Sequence, residues 1–363
     1  MERGAQHIMI FSIIVPVCNA AEYLPRLFRS VDALRIEPGY EIELLLIVNG
    51  STDDSEKICR EYQAQHYYAD TYTYDAIGPF EARRKGMKKA KGDYFVFSDA
   101  DDELLEDSIY RLYEALGKTE GEEKPDIILY NAETSEKPGK KKFSFPFREG
   151  VVYSGDDKRV FYETMCRGDS LNAMWNKAIS RRLADWTIVD DEIIKSAPSL
   201  SHGEDLIQAA SLIDGARSII YLDKILYRYI INKKGLTGGY HPEYIPHQEQ
   251  AWDVFEKYMD KWHMSDMEKL VDERKALTCT IGVKGLIYSD LSREEKSYRL
   301  KELMGLGFYR EFGRAMLPDW ASEEDVFVHE LQCKHNAAGS LLMSGLKSDF
   351  KRYIKKRILK NGI

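Results

Sequence analysis

The run Asp99-Ala100-Asp101-Asp102 sits directly after the apolar stretch Tyr94-Phe95-Val96-Phe97 and carries the chain's strongest chemical signal. Three carboxylates at the end of a buried strand repel one another unless something positive is brought to them. Side chains alternate along an extended segment, so Asp99 and Asp101 are expected to project to the same side. Two hard oxygen ligands at the carboxyl end of a strand suit a divalent cation, Mn²⁺ or Mg²⁺, holding a diphosphate. The plainer alternative is a loop whose aspartates cap a helix starting near Leu104.

The elements around these residues read as an α/β domain. Phe11–Val17, Ile42–Val48 and Tyr94–Phe97 are continuous apolar runs that fit buried strands. Between them, Glu22–Leu34, Asp53–Gln65 and Phe80–Ala90 carry helical spacing. Continuous rather than alternating apolar strands, separated by helices, predict a parallel sheet covered on both faces. Ligands in such sheets lie beyond the carboxyl ends of the strands, which directs attention to residues after Val17, Val48 and Phe97. Further on, the spacing predicts a helix over Asp107–Leu116, a strand over Asp126–Tyr130 and a loop region over Pro138–Phe147. A helix is expected over Glu204–Ile213, with strands near Ser218–Tyr221 and Ile225–Ile231. Gly235–Pro242 reads as a boundary. From Glu243 onward helical patterns dominate.

Length and composition narrow the classes. The chain has 363 residues, 44% of them hydrophobic, and a net charge of −8, so no nucleic-acid partner is expected. Its five cysteines, Cys18, Cys59, Cys166, Cys279 and Cys333, are widely spaced without a C-x-x-C pair, which predicts reduced thiols and a cytoplasmic protein. Ile8–Val17 lacks a basic leader and a cleavage site, and no run approaches a membrane span.

After the first strand comes Pro16-Val17-Cys18-Asn19-Ala20-Ala21-Glu22-Tyr23-Leu24, and after the second Asn49-Gly50-Ser51-Thr52-Asp53-Asp54-Ser55. Such junctions leave backbone N–H groups open to an acidic or hydrogen-bonding ligand, although either alone is an ordinary helix cap. Together with Ala82-Arg83-Arg84-Lys85-Gly86 and the acidic run, they resemble glycosyltransferase family 2 in order and spacing. The resemblance covers about residues 9–240 and continues in Trp175-Asn176-Lys177, Gly203-Glu204-Asp205 and Leu226-Tyr227-Arg228-Tyr229. It implies the GT-A fold: a mostly parallel central sheet covered by helices. The donor-binding half would take about 9–104, the acceptor half about 105–240, and an α-helical C-terminal domain 241–363.

The same resemblance implies an inverting transfer from a nucleotide-sugar donor, with a UDP-sugar expected, to a glycan or lipid-linked acceptor in cell-surface polysaccharide synthesis. Pro16 and Val17 would wall the base pocket, with Asn49 beside the nucleobase. Arg83 would sit near the donor phosphates, Asp99 would contact the ribose and Asp101 the metal. Asp102 would act through the following helix N-terminus, and Asp205 would be the general base. A carboxylate opening a helix can take the acceptor proton; it can also simply cap the helix. The sequence departs from the family pattern at Val48, at Arg84 and at Ile230, where many members carry an Arg; Arg228 could substitute, or the acceptor region differs.

Two rivals stay in view: a sugar nucleotidyltransferase, which would want a Gly-rich loop after the first strand, and a non-catalytic nucleotide-sugar-binding or scaffold protein. Lys347–Lys360 holds seven Lys/Arg and one acid beside an apolar stripe. Such a helix suits peripheral contact with anionic lipid at the inner face of the membrane, or plain packing with a solvated cationic face.

Overall fold

A computed structural model describes residues 8–117, 123–198, 200–232 and 240–345. The basic segment 347–360 and most of the Gly235–Pro242 boundary lie outside the described residues. The chain divides into two compact units, Met1–Ile231 with Val254–His263, and Asn232–Asp253 with Met264–Ile363.

The first unit is built on a nine-stranded sheet. Its strands are β1 (Met9–Val17), β2 (Tyr40–Asn49), β3 (Ala69–Tyr74), β4 (Tyr94–Phe97), β5 (Glu103–Leu104), β6 (Ile127–Thr134), β7 (Val152–Ser154), β8 (Lys177–Ser180) and β9 (Ser218–Tyr229). The order is β3-β2-β1-β4-β8-β6-β9-β5, with β7 also paired to β9. The β3-β2-β1-β4 half is wholly parallel, as the continuous apolar strands predict. Beyond it β8 runs antiparallel to both β4 and β6, while β6 and β9 are parallel.

The helices are α1 (Leu24–Asp32), α2 (Ser55–Gln63), α3 (Gly78–Lys89), α4 (Ser108–Gly117), α5 (Arg159–Arg167), α6 (Arg181–Val189), α7 (Glu192–Lys195) and α8 (Glu204–Gly215). They cover both faces of the sheet. Phe11, Ile13, Val15 and Val17 of β1 join Leu24, Leu27, Phe28 and Val31 of α1 in one buried core. No side chain caps α1, so its placement rests on those four apolar residues, each stabilising by about 1.5–3 kcal/mol on burial. On the opposite face α3 lies close to the sheet because residue 86 is Gly; a Cβ there would stand 2.4 Å from Ile14 Cγ2.

Three expectations change. The edge strand β3 carries polar Asp70, Thr71 and Thr73 and gives no continuous apolar signal. The two strands expected over 218–231 are one strand, β9, whose pairing with β6 is interrupted by register shifts near Asn131. The helix expected over Asp107–Leu116 is α4, but the alternative start near Leu104 does not hold, because Glu103–Leu104 pairs with Tyr227 and Arg228 as β5.

The antiparallel half is fastened by one carboxylate. Asp126, at the entry to β6, accepts from Ser180 Oγ (2.6 Å), Arg182 Nε (2.8 Å) and Arg217 N (2.8 Å), and also from the Arg182 terminal nitrogen. It thereby ties β6 to the end of β8, the start of α6 and the approach to β9.

The C-terminal region is helical, with α9 (Tyr244–Lys261), α10 (Glu268–Ile287), α11 (Arg293–Gly305), α12 (Gly307–Phe312) and α13 (Glu323–Gln332). The last residues of α9 group with the first unit because Tyr258 OH donates to Asp191 (2.6 Å) and Trp262 Nε1 to Asp214 (3.0 Å). In the second unit α10 packs against α11, α12 and α13, and Lys284 pairs with Asp325. Among the described residues no helix is long and apolar enough to cross a membrane.

Burial alone would raise the Asp126 pKa, but the Arg182 guanidinium and the Ser180 and Arg217 donors hold it below the ordinary carboxylate value. A depressed native pKa contributes stability that is present above the unfolded value and lost as pH falls through the native one. Asp126→Asn should therefore cost about 2–3 kcal/mol near neutral pH. Thermal melts should show that gap closing below about pH 4.

Candidate functional site

The site forms where β1, β2 and β4 end and α8 begins. The loops after β1 and β2 clasp each other. Asn19 Oδ1 accepts from Thr52 N (2.8 Å), Ala21 N donates to Asp53 (3.0 Å) and Ala20 N to Ser55 Oγ (2.8 Å). These backbone N–H groups are thus satisfied within the clasp. Val17 has no exposed surface and packs into the core, so its side chain does not wall a pocket; Pro16, one residue earlier, projects to the other side of the strand and is half-buried. Asn49 is buried, and its side-chain oxygen, the acceptor expected for a base imide, receives Ile77 N (2.7 Å) and Gly78 N (3.1 Å) instead. Both lone pairs of that oxygen are occupied, and the residue fixes the approach to α3.

The acidic run is not extended past Asp99. Asp102 N donates to Asp99 O (3.2 Å), closing a tight turn, so strand alternation does not set where Asp101 points. Arg26 donates to the backbone oxygen of Asp101. Asp102 does not act through a helix N-terminus. It is buried and accepts from Tyr227 OH (2.8 Å) and Ile230 N (2.7 Å), which straps the turn to β9.

Arg83 joins this turn to α8. Only 5% of its side chain is exposed. Its Nη1 donates to Asp205 Oδ1 (2.8 Å) and Gln208 Oε1 (3.2 Å) and lies 3.8 Å from Glu204, while Nη2 donates to Asp99 Oδ1 (3.3 Å). Burial disfavours the charge, but Asp205, Asp99 and Glu204 together keep the guanidinium firmly protonated. The sequence reading set Arg83 near donor phosphates; in this structure it is a buried bridge between carboxylates of the acidic turn and of α8.

Gly203 makes the α8 start possible, since its φ of +85° is a conformation other residues adopt at a cost. The helix then presents two consecutive carboxyls in different surroundings. Glu204 is buried, and burial followed by the neighbouring Asp205 charge pushes its pKa well above the ordinary value. The Asp205 side chain keeps 41% of its surface exposed. Beneath them Lys177 is fully enclosed, donating to Leu171 O (2.6 Å) and Asn176 Oδ1 (2.7 Å), and burial pushes its pKa down to about 7. Burial also raises the pKa of Asp99 against the opposing pull of Arg83, with Asp205 and Asp101 adding to the rise.

Three carboxyl groups, Asp99, Glu204 and Asp205, therefore lie within 3.8 Å of one buried guanidinium, and Asp101 and Asp102 act on Asp99 as nearby acids. Their carboxyl oxygens are hard ligands, the class that Mn²⁺ or Mg²⁺ takes and a soft metal does not. Arg228 does not reach this group: it is held by Glu133 (2.6 Å) and Glu103 (2.8 Å). Gln208 is absent from the sequence expectations, and Tyr227 enters them only within the Leu226–Tyr229 stretch, without a role of its own. Gln208 stands three residues after Asp205, on the same face of α8, and that spacing was its available signal.

Residues 12–183 match the family model described as glycosyl transferase family 2. This region is a family 2 glycosyltransferase domain. Glycosyltransferase GlyA of Streptococcus pneumoniae is 28% identical over 243 residues, covering 62% of this chain and 31% of GlyA. TarS of Staphylococcus aureus, a poly(ribitol-phosphate) beta-N-acetylglucosaminyltransferase, is 24% identical over 230 residues, covering 63% of this chain and 36% of TarS. The matched region thus spans only about a third of either relative, 31% of GlyA and 36% of TarS. A crystal structure of S. aureus TarS 1-349 in complex with UDP-GlcNAc superposes with a TM-score of 0.51 at 17% identity, covering 98% of this chain and 92% of that one. That likeness shows the fold: a GT-A sheet with a helical C-terminal region.

Arg83 offers a direct stability test. Arg83→Met removes the bridge and leaves Asp99, Glu204 and Asp205 facing one another. Breaking a buried ion pair from one side costs about 3–5 kcal/mol. Denaturant melts at pH 7 should show a loss of that order, and Arg83→Lys should recover only part of it.

Proposed function

We propose that the protein is a metal-dependent inverting glycosyltransferase. It would move a sugar from a nucleotide-diphosphate sugar, a UDP-sugar, to a glycan or lipid-linked glycan in cell-surface polysaccharide synthesis, working in the cytoplasm. The observation that carries this reading is the single guanidinium of Arg83, which holds the acidic turn after β4 and the carboxylate of Asp205 in one site. The family membership, the UDP-GlcNAc complex of TarS and the substrate in the TarS name support a nucleotide-sugar donor and a cell-envelope polymer acceptor.

Asp99 would meet the donor ribose and Asp101 would hold Mn²⁺ or Mg²⁺, with Pro16 and Asn49 near the base. When bound, the cation supplies positive charge to the diphosphate as the bond to the sugar breaks. The chain's own residues do the rest. Asp205 takes the proton from the acceptor hydroxyl while that oxygen attacks the anomeric carbon from the face opposite the leaving diphosphate. Arg83 keeps Asp205 oriented through its 2.8 Å bond. Glu204 is the poorer base, because burial keeps its proton on at higher pH and hides it from an acceptor.

Two measurements test the reading. Asp205→Asn should slow transfer about 10²- to 10⁴-fold while UDP still binds, and Glu204→Gln should slow it far less. Collapse of transfer in the Gln variant alone would move the base to Glu204. Separately, Mn²⁺ should strengthen UDP binding measured by calorimetry, and Asp101→Ala should remove that gain. Equal affinity in Mn²⁺ and in EDTA would take the cation out of the mechanism.

A further inference from the structure

Tyr227 lies on β9, in the half of the sheet away from the donor strands, yet its hydroxyl lies inside the acidic turn. It accepts from Asp99 N (3.0 Å), donates to Asp102 Oδ2 (2.8 Å) and lies 3.5 Å from Ser98 Oγ. The side chain has no exposed surface. Its ring stacks on the Trp175 indole with 4.9 Å between centroids and 2° between planes. Trp175 in turn stacks on Phe143 at 5.8 Å. Three residues beyond Tyr227, the Ile230 N–H takes the other oxygen of Asp102 (2.7 Å).

A turn held only by its own 3.2 Å bond between Asp102 N and Asp99 O would be free to pivot. Here the backbone at Asp99 and the side chain at Asp102 are both fixed by one phenol. The hydroxyl is held by these two bonds, while the ring behind it packs flat on Trp175. Asp101 lies between the two anchored positions and inherits their geometry.

We propose that Tyr227 is a positioning residue whose hydroxyl sets the Asp99–Asp102 turn in the shape that receives the cation and diphosphate. The inference rests on the donor-site reading given above. Groups that orient metal ligands typically govern about 10- to 100-fold in metal affinity, and Tyr227 stands in that relation to the turn. Tyr227→Phe isolates the effect, because it deletes one oxygen and keeps the ring on Trp175. Trp175→Leu is the contrasting variant: it removes packing and leaves the hydroxyl in place.

The experiment is calorimetric titration of UDP into the full chain at graded Mn²⁺ concentrations and in EDTA, with circular dichroism melts of each protein. In Tyr227→Phe, the Mn²⁺ concentration that gives half of the affinity gain should rise about tenfold or more, while the affinity in EDTA stays at the wild-type value. Trp175→Leu should lose at least as much melting temperature and keep most of the Mn²⁺ gain. If Tyr227→Phe does not yield folded protein, Asp102→Asn carries the same comparison with the same expected loss. An unchanged Mn²⁺ response in the hydroxyl variant overturns the positioning role alone. An equal loss in Trp175→Leu does the same, by showing that packing rather than the hydroxyl matters. Wild-type protein that binds no UDP in any condition overturns the donor-site reading and this inference with it.

Discussion

A cation buried among carboxylates is the constraint on which the site depends. Enclosing Arg83 is costly, and the surrounding chain offsets that cost at its two terminal nitrogens with Asp99, Asp205, Gln208 and the nearby Glu204, while its buried Nε makes no hydrogen bond. These partners come from the end of β4 and the first turn of α8, segments more than a hundred residues apart. Replacing such an arrangement by apolar packing is often neutral or favourable for stability, so its presence points to a requirement for charge at this place. The negative excess left beside Arg83 is what a bound cation would offset.

The parallel half of the sheet was legible because its signals are local. Phe11–Val17, Ile42–Val48 and Tyr94–Phe97 are continuous apolar runs, and all three are strands at those places within a few residues. The edge strand β3 escaped because only one face is covered, so its sequence alternates weakly and carries polar residues. The two-residue strand at Glu103–Leu104 escaped because nothing within it specifies pairing; its partner is Tyr227 and Arg228, far along the chain.

For the site, sequence gave residue types and neighbourhoods, and the geometry came from tertiary contact. Asp99, Arg83 and Asp205 are brought together, as an ordered set of motifs on one sheet implies. The expectation that Asp99 and Asp101 share a strand face failed because the strand stops at Phe97 and the run folds into a turn. Asp102 was assigned to a helix that begins six residues after it, whereas its partners lie on and just after β9. No spacing rule within the acidic run could reveal a tyrosine more than a hundred residues downstream.

The position of β4 has a consequence for how the chain comes off the ribosome. Strands β1, β2, β3 and β4 can pair with one another as soon as Phe97 has emerged, but the outer edge of β4 is matched only by Ala178–Ser180. Throughout synthesis of the intervening segment, Tyr-Phe-Val-Phe would present an unpaired, wholly apolar edge, the kind of template that recruits other chains. The late antiparallel strand β8 and the carboxylate that fastens it therefore act as a closing seam. Until that seam forms, the nascent domain carries an open apolar edge.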